Sequence, residues 1–198
     1  HIHSAGLFLP ARHCRYVDGE RRAFVSDPRF RFVPIRGHEI HVAEWGNRDA
    51  PALLMMHGLA RTGRDFDELA SALSDQFYVL CPDMIGRGFS SWSSDPSADY
   101  CIENYANITL AVMDNFSIGQ TAWLGTSMGA QIGMRIASGS QSARIDTLLI
   151  NDIGPEVPDI AVERILSYVG NPPHFYTFAQ AEAWLRDAYI SFGPASDT

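Results

Sequence analysis

The sequence predicts an α/β protein, a mostly parallel sheet flanked by helices, and two observations carry that expectation. From Phe30 onward, short apolar runs rich in branched and aromatic residues alternate with longer amphipathic stretches, the pattern of strand and helix in turn. Several of the short runs are apolar at nearly every position, as strands covered on both faces must be. With 198 residues, 46% hydrophobic and 19% charged, the chain can bury a sizeable core, and one domain is the default expectation.

Residues 1–29 read as an N-terminal extension. Its apolar patch, Leu7 to Leu9, precedes the basic residues Arg12, Arg15, Arg21 and Arg22, the reverse of a secretory signal, so none is expected. Phe30 to Arg36 and Glu39 to Trp45 flank Gly37-His38 and predict a hairpin whose second arm alternates Ile40, Val42 and Glu44. The sheet therefore begins antiparallel. Ala52 to Met56, Phe77 to Cys81, Thr121 to Leu124 and Thr147 to Asn151 are the continuous apolar runs, expected as the parallel core.

The stretches between them have helical spacing. Arg64 to Ser74 places Phe66, Leu69, Ala70 and Leu73 at i, i+3, i+4 and i+7, and Ile102 to Phe116 repeats Ile102, Tyr105, Leu110, Met113 and Phe116 more loosely. Met128 to Ser138 is a third helix, beginning directly after a strand. Past Gly154 the texture changes, as Pro155, Pro158, Pro172 and Pro173 punctuate two short helical patterns, Ile160 to Tyr168 and Phe178 to Tyr189. Residues 30–154 are thus expected to form a core with its first six strands, and residues 155–198 a helical cap or lid.

Composition excludes several classes of function. The formal charge of −8 arises from dispersed acids, with no basic stripe, which argues against a nucleic-acid partner. No apolar run approaches the roughly 18 residues of a membrane span. Cys14, Cys81 and Cys101 show no CxxC spacing and no neighbouring histidine set, so neither zinc nor a redox pair is expected. No cofactor is implied, a cytoplasmic location is the default, the partner expected is a small-molecule substrate, and oligomeric state is left open.

The chemistry is expected at Gly125-Thr126-Ser127-Met128-Gly129, a G-x-S-x-G sequence between an apolar strand and a helical stretch. A serine on so sharp a strand-to-helix turn sits in strained backbone, and its neighbours two positions away must lack side chains for the turn to close. The turn lifts the Ser127 hydroxyl clear of the sheet and aims a helix N-terminus at any oxyanion formed when an acyl carbon is attacked. His57-Gly58-Leu59 directly follows the strand Ala52 to Met56, where a glycine lets the backbone approach a ligand. The Leu59 and Met128 N–H groups are then the expected pair of oxyanion donors. A third element, Asp83-Met84-Ile85-Gly86-Arg87-Gly88-Phe89-Ser90, is a turn-rich loop after the strand ending at Cys81, and it is expected to shape the site without touching substrate.

Strand-His-Gly, strand-Asp-x-x-Gly-x-Gly-x-Ser and strand-Gly-x-Ser-x-Gly-helix, in that order, resemble the α/β-hydrolase superfamily over roughly Phe30 to Gly154. The resemblance implies an eight-stranded, mostly parallel sheet, a Ser-His-Asp/Glu triad, and a cap inserted after the sixth strand. Serine at the elbow separates the chain from the similar haloalkane dehalogenases and epoxide hydrolases, which carry aspartate there. In the family the triad acid and histidine follow the seventh and eighth strands, so the last two strands and both partners are expected beyond residue 198, in a chain of roughly 270 to 300 residues. A sheet ending at the sixth strand would expose an edge prone to pairing.

The histidines in hand are poor bases by position. His57 belongs to the oxyanion turn as a packed residue, His38 and His41 lie on the hairpin, and His174 stands among prolines of the cap; Asp152, after the sixth strand, is a minority candidate for the acid. Arg61 and Arg64 are expected as solvated helix-start residues, and Trp92, Phe175, Tyr176 and Trp184 either line an acyl pocket or pack among themselves. The function implied is a cofactor-independent, carboxylesterase-like serine hydrolase acting on an ester or related acyl bond through an acyl-enzyme. The alternative is a ligand-binding member of the same fold that does not turn its ligand over.

Overall fold

The computed structural model describes residues 27–154, 156–160, 163 and 173–188, and the backbone of residues 15–17 and 20–22. Much of the helical pattern Ile160 to Tyr168, and the segment holding Leu7 to Leu9, lie outside the described residues. The chain divides into two compact units, His1–Glu156 and Val157–Thr198.

In the first unit, β1 (Arg15–Val17) and β2 (Glu20–Arg22) pair as a small antiparallel ribbon within the stretch read as an extension. Six strands form the main sheet: β3 (Arg29–Ile35), β4 (His38–Trp45), β5 (Ala52–Met56), β6 (Tyr78–Pro82), β7 (Thr121–Thr126) and β8 (Ile145–Asn151), in the spatial order β3-β4-β6-β5-β7-β8. β3, β4 and β6 pair antiparallel, and β6, β5, β7 and β8 pair parallel. This is the mixed, mostly parallel sheet that the sequence predicts.

The helices cover both faces, and the period-2 alternation of the strands decides what each face meets. Ile40, Val42, Leu54, Met56, Tyr78, Leu80 and Trp123 point to one side and pack against α3 (Ile102–Asn115) and α4 (Met128–Ala137) through Tyr105, Ile108, Val112, Met113, Ile132 and Ile136. The intervening residues Ala43, Trp45, Leu53, Met55, Val79 and Cys81 point to the other side, against Phe66 and Ala70. Phe66 ends a 3-10 turn, Gly63–Phe66, that leads into α1 (Asp67–Leu73). A short helix α2 (Pro96–Asp99), capped by the Asp95 side chain, precedes α3 and was not foreseen.

Two local expectations need correction. The β3–β4 turn is centred on Arg36-Gly37, not Gly37-His38, since Ile35 pairs with His38 and both turn residues have positive φ, 51° and 85°. That is the twist a two-residue hairpin requires. Leu69, expected on the inner face of one continuous helix, is 41% exposed, because the 3-10 turn rotates the helical face that follows it. β8 pairs only with β7 among the described residues, and Leu149 is 53% and Ile150 42% exposed, the edge expected of a sheet seen as far as its sixth strand.

In the second unit, the helix Phe178–Ala188 follows the pattern read from the sequence. Phe175 and Trp184 pack on one another with ring centroids 5.8 Å apart, while Tyr176 is exposed. His174 is exposed. Among the described residues no helix is long and apolar enough to cross a membrane, and no group of three or more His, Cys, Asp or Glu is placed to hold a metal ion.

Candidate active site

Because β5, β6, β7 and β8 run parallel, their carboxyl ends share one edge of the sheet, and ligands of open α/β sheets bind at such an edge. β5 lies between β6 and β7, so the segment after β5 is flanked by the loop after β6 and the turn after β7. Met56 pairs with Gly125, and this register sets His57-Gly58 beside Thr126-Ser127. A Cβ built on Gly58 would stand 3.9 Å from the Ser127 Cβ, an ordinary contact. Two motifs far apart in sequence therefore meet.

Ser127 has φ 50° and ψ −110°, a conformation that costs a non-glycine residue about 1–3 kcal/mol. The surrounding bonds hold it there. Its N–H donates to the Asn151 carbonyl at 2.9 Å, tying the turn to the end of β8, and its own carbonyl accepts from Ala130 N–H at 2.9 Å and Gln131 N–H at 3.1 Å, which starts α4. A side chain at Gly129 would drive into the Met56 carbonyl, and one at Gly125 into the Gly129–Ala130 backbone, so both glycines are demanded by close approach. Trp123 Nε1 donates to the Gly129 carbonyl at 3.0 Å and locks the first turn of α4 onto β7. Met128 stands at the first position of α4, where its N–H has no intrahelical acceptor and the helix dipole is positive.

The other expected donor belongs to the Gly58–Leu59 peptide. His57 Nδ1–H donates to the Gly58 carbonyl at 2.7 Å, and the Arg61 N–H donates to the same oxygen at 3.2 Å. In a trans peptide the N–H points opposite the carbonyl, so a pinned Gly58 oxygen aims the Leu59 N–H. The second ring nitrogen of His57, Nε2, accepts from Met84 N–H at 3.0 Å. Both nitrogens are thereby used, and burial holds the imidazole below its ordinary pKa, which keeps it neutral. His57 is a packed turn residue, as its place in the sequence suggested.

The loop after β6 is organised around Asp83. Its carboxylate accepts from Gly63 N–H at 2.7 Å and Phe89 N–H at 3.0 Å, and lies 2.8 Å from His41 Nδ1. Burial by itself raises an acid, but the bonds from His41, Phe89 and Gly63 more than offset it and hold Asp83 below the usual carboxylate range. Ser90 Oγ accepts from His41 N–H at 2.9 Å and donates to the Asp83 carbonyl at 2.7 Å. His41 is only 2% exposed, enclosed by Phe30, Phe32 and Phe89 with ring centroids 5.0–5.4 Å away. The His41–Asp83 pair and the contact between Arg87 and the turn after β5 were not anticipated; a lone His on the hairpin and a lone Arg between two glycines were visible, but their partners lie far along the chain.

The remaining named residues sit as follows. His38 Nε2 is 3.5 Å from Asp99, Arg61 Nε donates to Asp65 at 2.6 Å, and Arg64 pairs with Asp67 while its guanidinium lies over the Phe30 ring. Asp152 follows β8 with φ 58° and is exposed. Trp92 is also exposed.

Comparison with known proteins agrees with this geometry. Residues 51–175 match a family model described as the alpha/beta hydrolase fold. The chain is 40% identical over 173 residues to a 3-hydroxybutyrate-oligomer hydrolase of Cupriavidus necator, a match covering 85% of this chain and 58% of that protein. It is 29% identical over 98 residues to a 3-oxoadipate enol-lactonase of Acinetobacter baylyi, covering 50% of this chain and 36% of the relative. Among solved structures, an alpha/beta hydrolase from Novosphingobium aromaticivorans superposes with a TM-score of 0.75 at 33% identity, over 82% of this chain and 57% of the other. The chain thus spans less than two thirds of the length of these relatives. With the three motifs assembled on one edge of a mixed sheet and a family match across more than half its length, this chain belongs to the alpha/beta hydrolase fold family.

Proposed function

We propose that this chain carries the nucleophile and oxyanion hole of a cofactor-independent serine hydrolase that cleaves carboxylic esters. The observation that carries the reading is Ser127 at φ 50° on the strand-to-helix turn, with Gly58 packed beside it. In the proposed reaction the Ser127 Oγ forms a bond to the acyl carbon while its proton passes to a general base. The Leu59 and Met128 N–H groups stabilise the resulting oxyanion, and its collapse breaks the bond to the leaving alcohol, which takes up the proton. Water then attacks the acyl-enzyme by the same steps and releases the acid and Ser127.

The base must be a histidine with a free nitrogen at the end of the sheet. His57 and His41 are engaged in the bonds described above, and His38 faces Asp99. The proposal therefore assigns the base to a histidine outside residues 27–154, oriented by a carboxylate, and reads residues 155–198 as part of a cap. The similarity to a 3-hydroxybutyrate-oligomer hydrolase favours esters of short hydroxy acids as substrates.

The test is an intact-mass spectrum after exposure to a fluorophosphonate probe, with hydrolysis of short p-nitrophenyl esters and of 3-hydroxybutyrate dimers and trimers followed in parallel. A single adduct that Ser127→Ala removes, together with ester turnover lost in the same variant, is the expected result. Ester turnover that survives in Ser127→Ala would overturn the assignment.

A further inference from the structure

The Leu59 N–H belongs to the Gly58–Leu59 peptide plane, and the next plane, Leu59–Ala60, is joined to it at the Leu59 Cα, so the turn keeps its shape only where both planes are restrained. The carbonyl of the first plane is held by His57, whose far nitrogen is fastened to Met84 in the loop after β6. The carbonyl of the second plane, Leu59 O, accepts from Arg87 Nε at 3.0 Å. Arg87 belongs to that same loop. The loop after β6 therefore holds the turn directly at the Leu59 carbonyl and, through the His57 ring, at the Gly58 carbonyl, and with both planes held the φ and ψ of Leu59 are restrained.

The Arg87 side chain is itself fixed on several sides. Its Nη1 donates to the Ile85 carbonyl at 2.9 Å and to the Tyr105 hydroxyl at 2.6 Å, the latter on α3. Its guanidinium carbon lies 5.3 Å from the ring centroids of both Tyr100 and Tyr105. Such a planar fork, stacked and doubly bonded, is pre-organised in a way an ammonium group is not. A surface arginine with no positioning task has no need of a carbonyl on a neighbouring loop, its own loop and a helix at once.

We propose that Arg87 is a positioning residue of the oxyanion hole, holding the Leu59 carbonyl so that the Leu59 N–H meets the charge developing on the acyl oxygen. The inference rests on the serine-hydrolase reading above. Arg87 acts through the backbone and does not touch substrate, so its loss weakens binding of the transition state and leaves ground-state binding in place.

The experiment compares wild type, Arg87→Met and Arg87→Lys in the whole enzyme, with two readouts. In steady-state hydrolysis of a short ester, Arg87→Met is expected to lower kcat by about 10- to 100-fold, in the range of a weakened oxyanion donor, with KM changed less than about threefold. Affinity for an alkyl trifluoromethyl ketone, which forms a tetrahedral adduct, should fall by the same factor as kcat. Arg87→Lys should fail to rescue, because one ammonium cannot reproduce the Nε and Nη1 bonds together. A rise in KM at unchanged kcat, or full rescue by lysine, would overturn the assignment. The second readout is hydrogen exchange of the Arg61 amide, which donates to the Gly58 carbonyl within the turn, expected to quicken at least about tenfold in Arg87→Met as the turn is freed. Unchanged exchange would overturn the proposal whether or not the protein turns over esters. Loss of the serine-hydrolase reading alone would instead show as faster exchange in a protein whose wild type has no Ser127-dependent activity.

Discussion

Replacing His57 with glutamine tests the internal wiring of the turn after β5. The imidazole is 1% exposed and satisfies two backbone groups, donating to the Gly58 carbonyl and accepting from Met84 N–H. Glutamine Oε1 can stand in for Nε2 and accept from Met84 N–H, but no glutamine donor reaches the Nδ1 position, so the Gly58 carbonyl loses the ring's hydrogen bond. That loss costs about 0.5–1.5 kcal/mol, since Arg61 N–H still reaches the same carbonyl, and the imperfect fit of the new side chain adds about 1 kcal/mol. At a urea m-value of about 1–3 kcal/mol per molar, the unfolding midpoint at pH 7.5 should fall by about 1 M.

The pH dependence separates this account from simple misfit. Burial lowers the folded-state pKa of His57 below the ordinary histidine value of about 6.5, so below that pH the unfolded chain binds a proton that the folded chain refuses. Its contribution to stability is present in full above about pH 6.5 and is lost as the pH falls below it, by up to about 1.4 kcal/mol per pH unit until the folded pKa is reached. Glutamine does not titrate. The stability gap between wild type and His57→Gln, measured by urea unfolding at half-unit steps from pH 7.5 to 5, should therefore narrow steadily as the solution is acidified. A gap that stays constant or widens would refute the picture of a neutral, doubly bonded imidazole.

Two further outcomes follow from the same site. Gly129→Ala puts a Cβ against the Met56 carbonyl and should destabilise the fold by about 1–3 kcal/mol, with loss of fluorophosphonate labelling at temperatures where the variant is still folded; labelling at the wild-type rate would contradict the packing described for the elbow. Asp83→Asn removes the ionised acceptor shared by His41, Gly63 and Phe89 and should cost about 1.5–3 kcal/mol at neutral pH. Because the Asp83 pKa is depressed in the fold, that difference should be complete above pH 3.8 and fade as the pH falls through the folded value, which chemical denaturation from pH 7 downward would show.

What the sequence by itself determined is what local physics controls. Alternation and continuous apolar runs located all six strands of the main sheet, because each side chain's face in a strand is set by its immediate neighbours. The elbow was legible for the same reason: Gly125, Ser127 and Gly129 are two residues apart, and the steric demand of one sharp turn is written entirely within them. Where neighbouring residues compete closely, as in the hairpin turn at Arg36-Gly37 and the 3-10 entry to α1, the reading slipped by a residue or by the rotation of a face.

Tertiary structure decided everything that depends on which distant segments meet. Strand order placed β5 between β6 and β7, and only that order brings the His57 turn between Ser127 and the Asp83 loop. His57 could be read as packed, but its capture by Met84 could not, nor could the His41–Asp83 pair or the reach of Arg87 to Leu59. These bonds join residues from 27 to 42 positions apart. Hydrophobic periodicity extends only a few residues along a chain, whereas a hydrogen bond between loops exists only after the sheet has set its strand ends side by side.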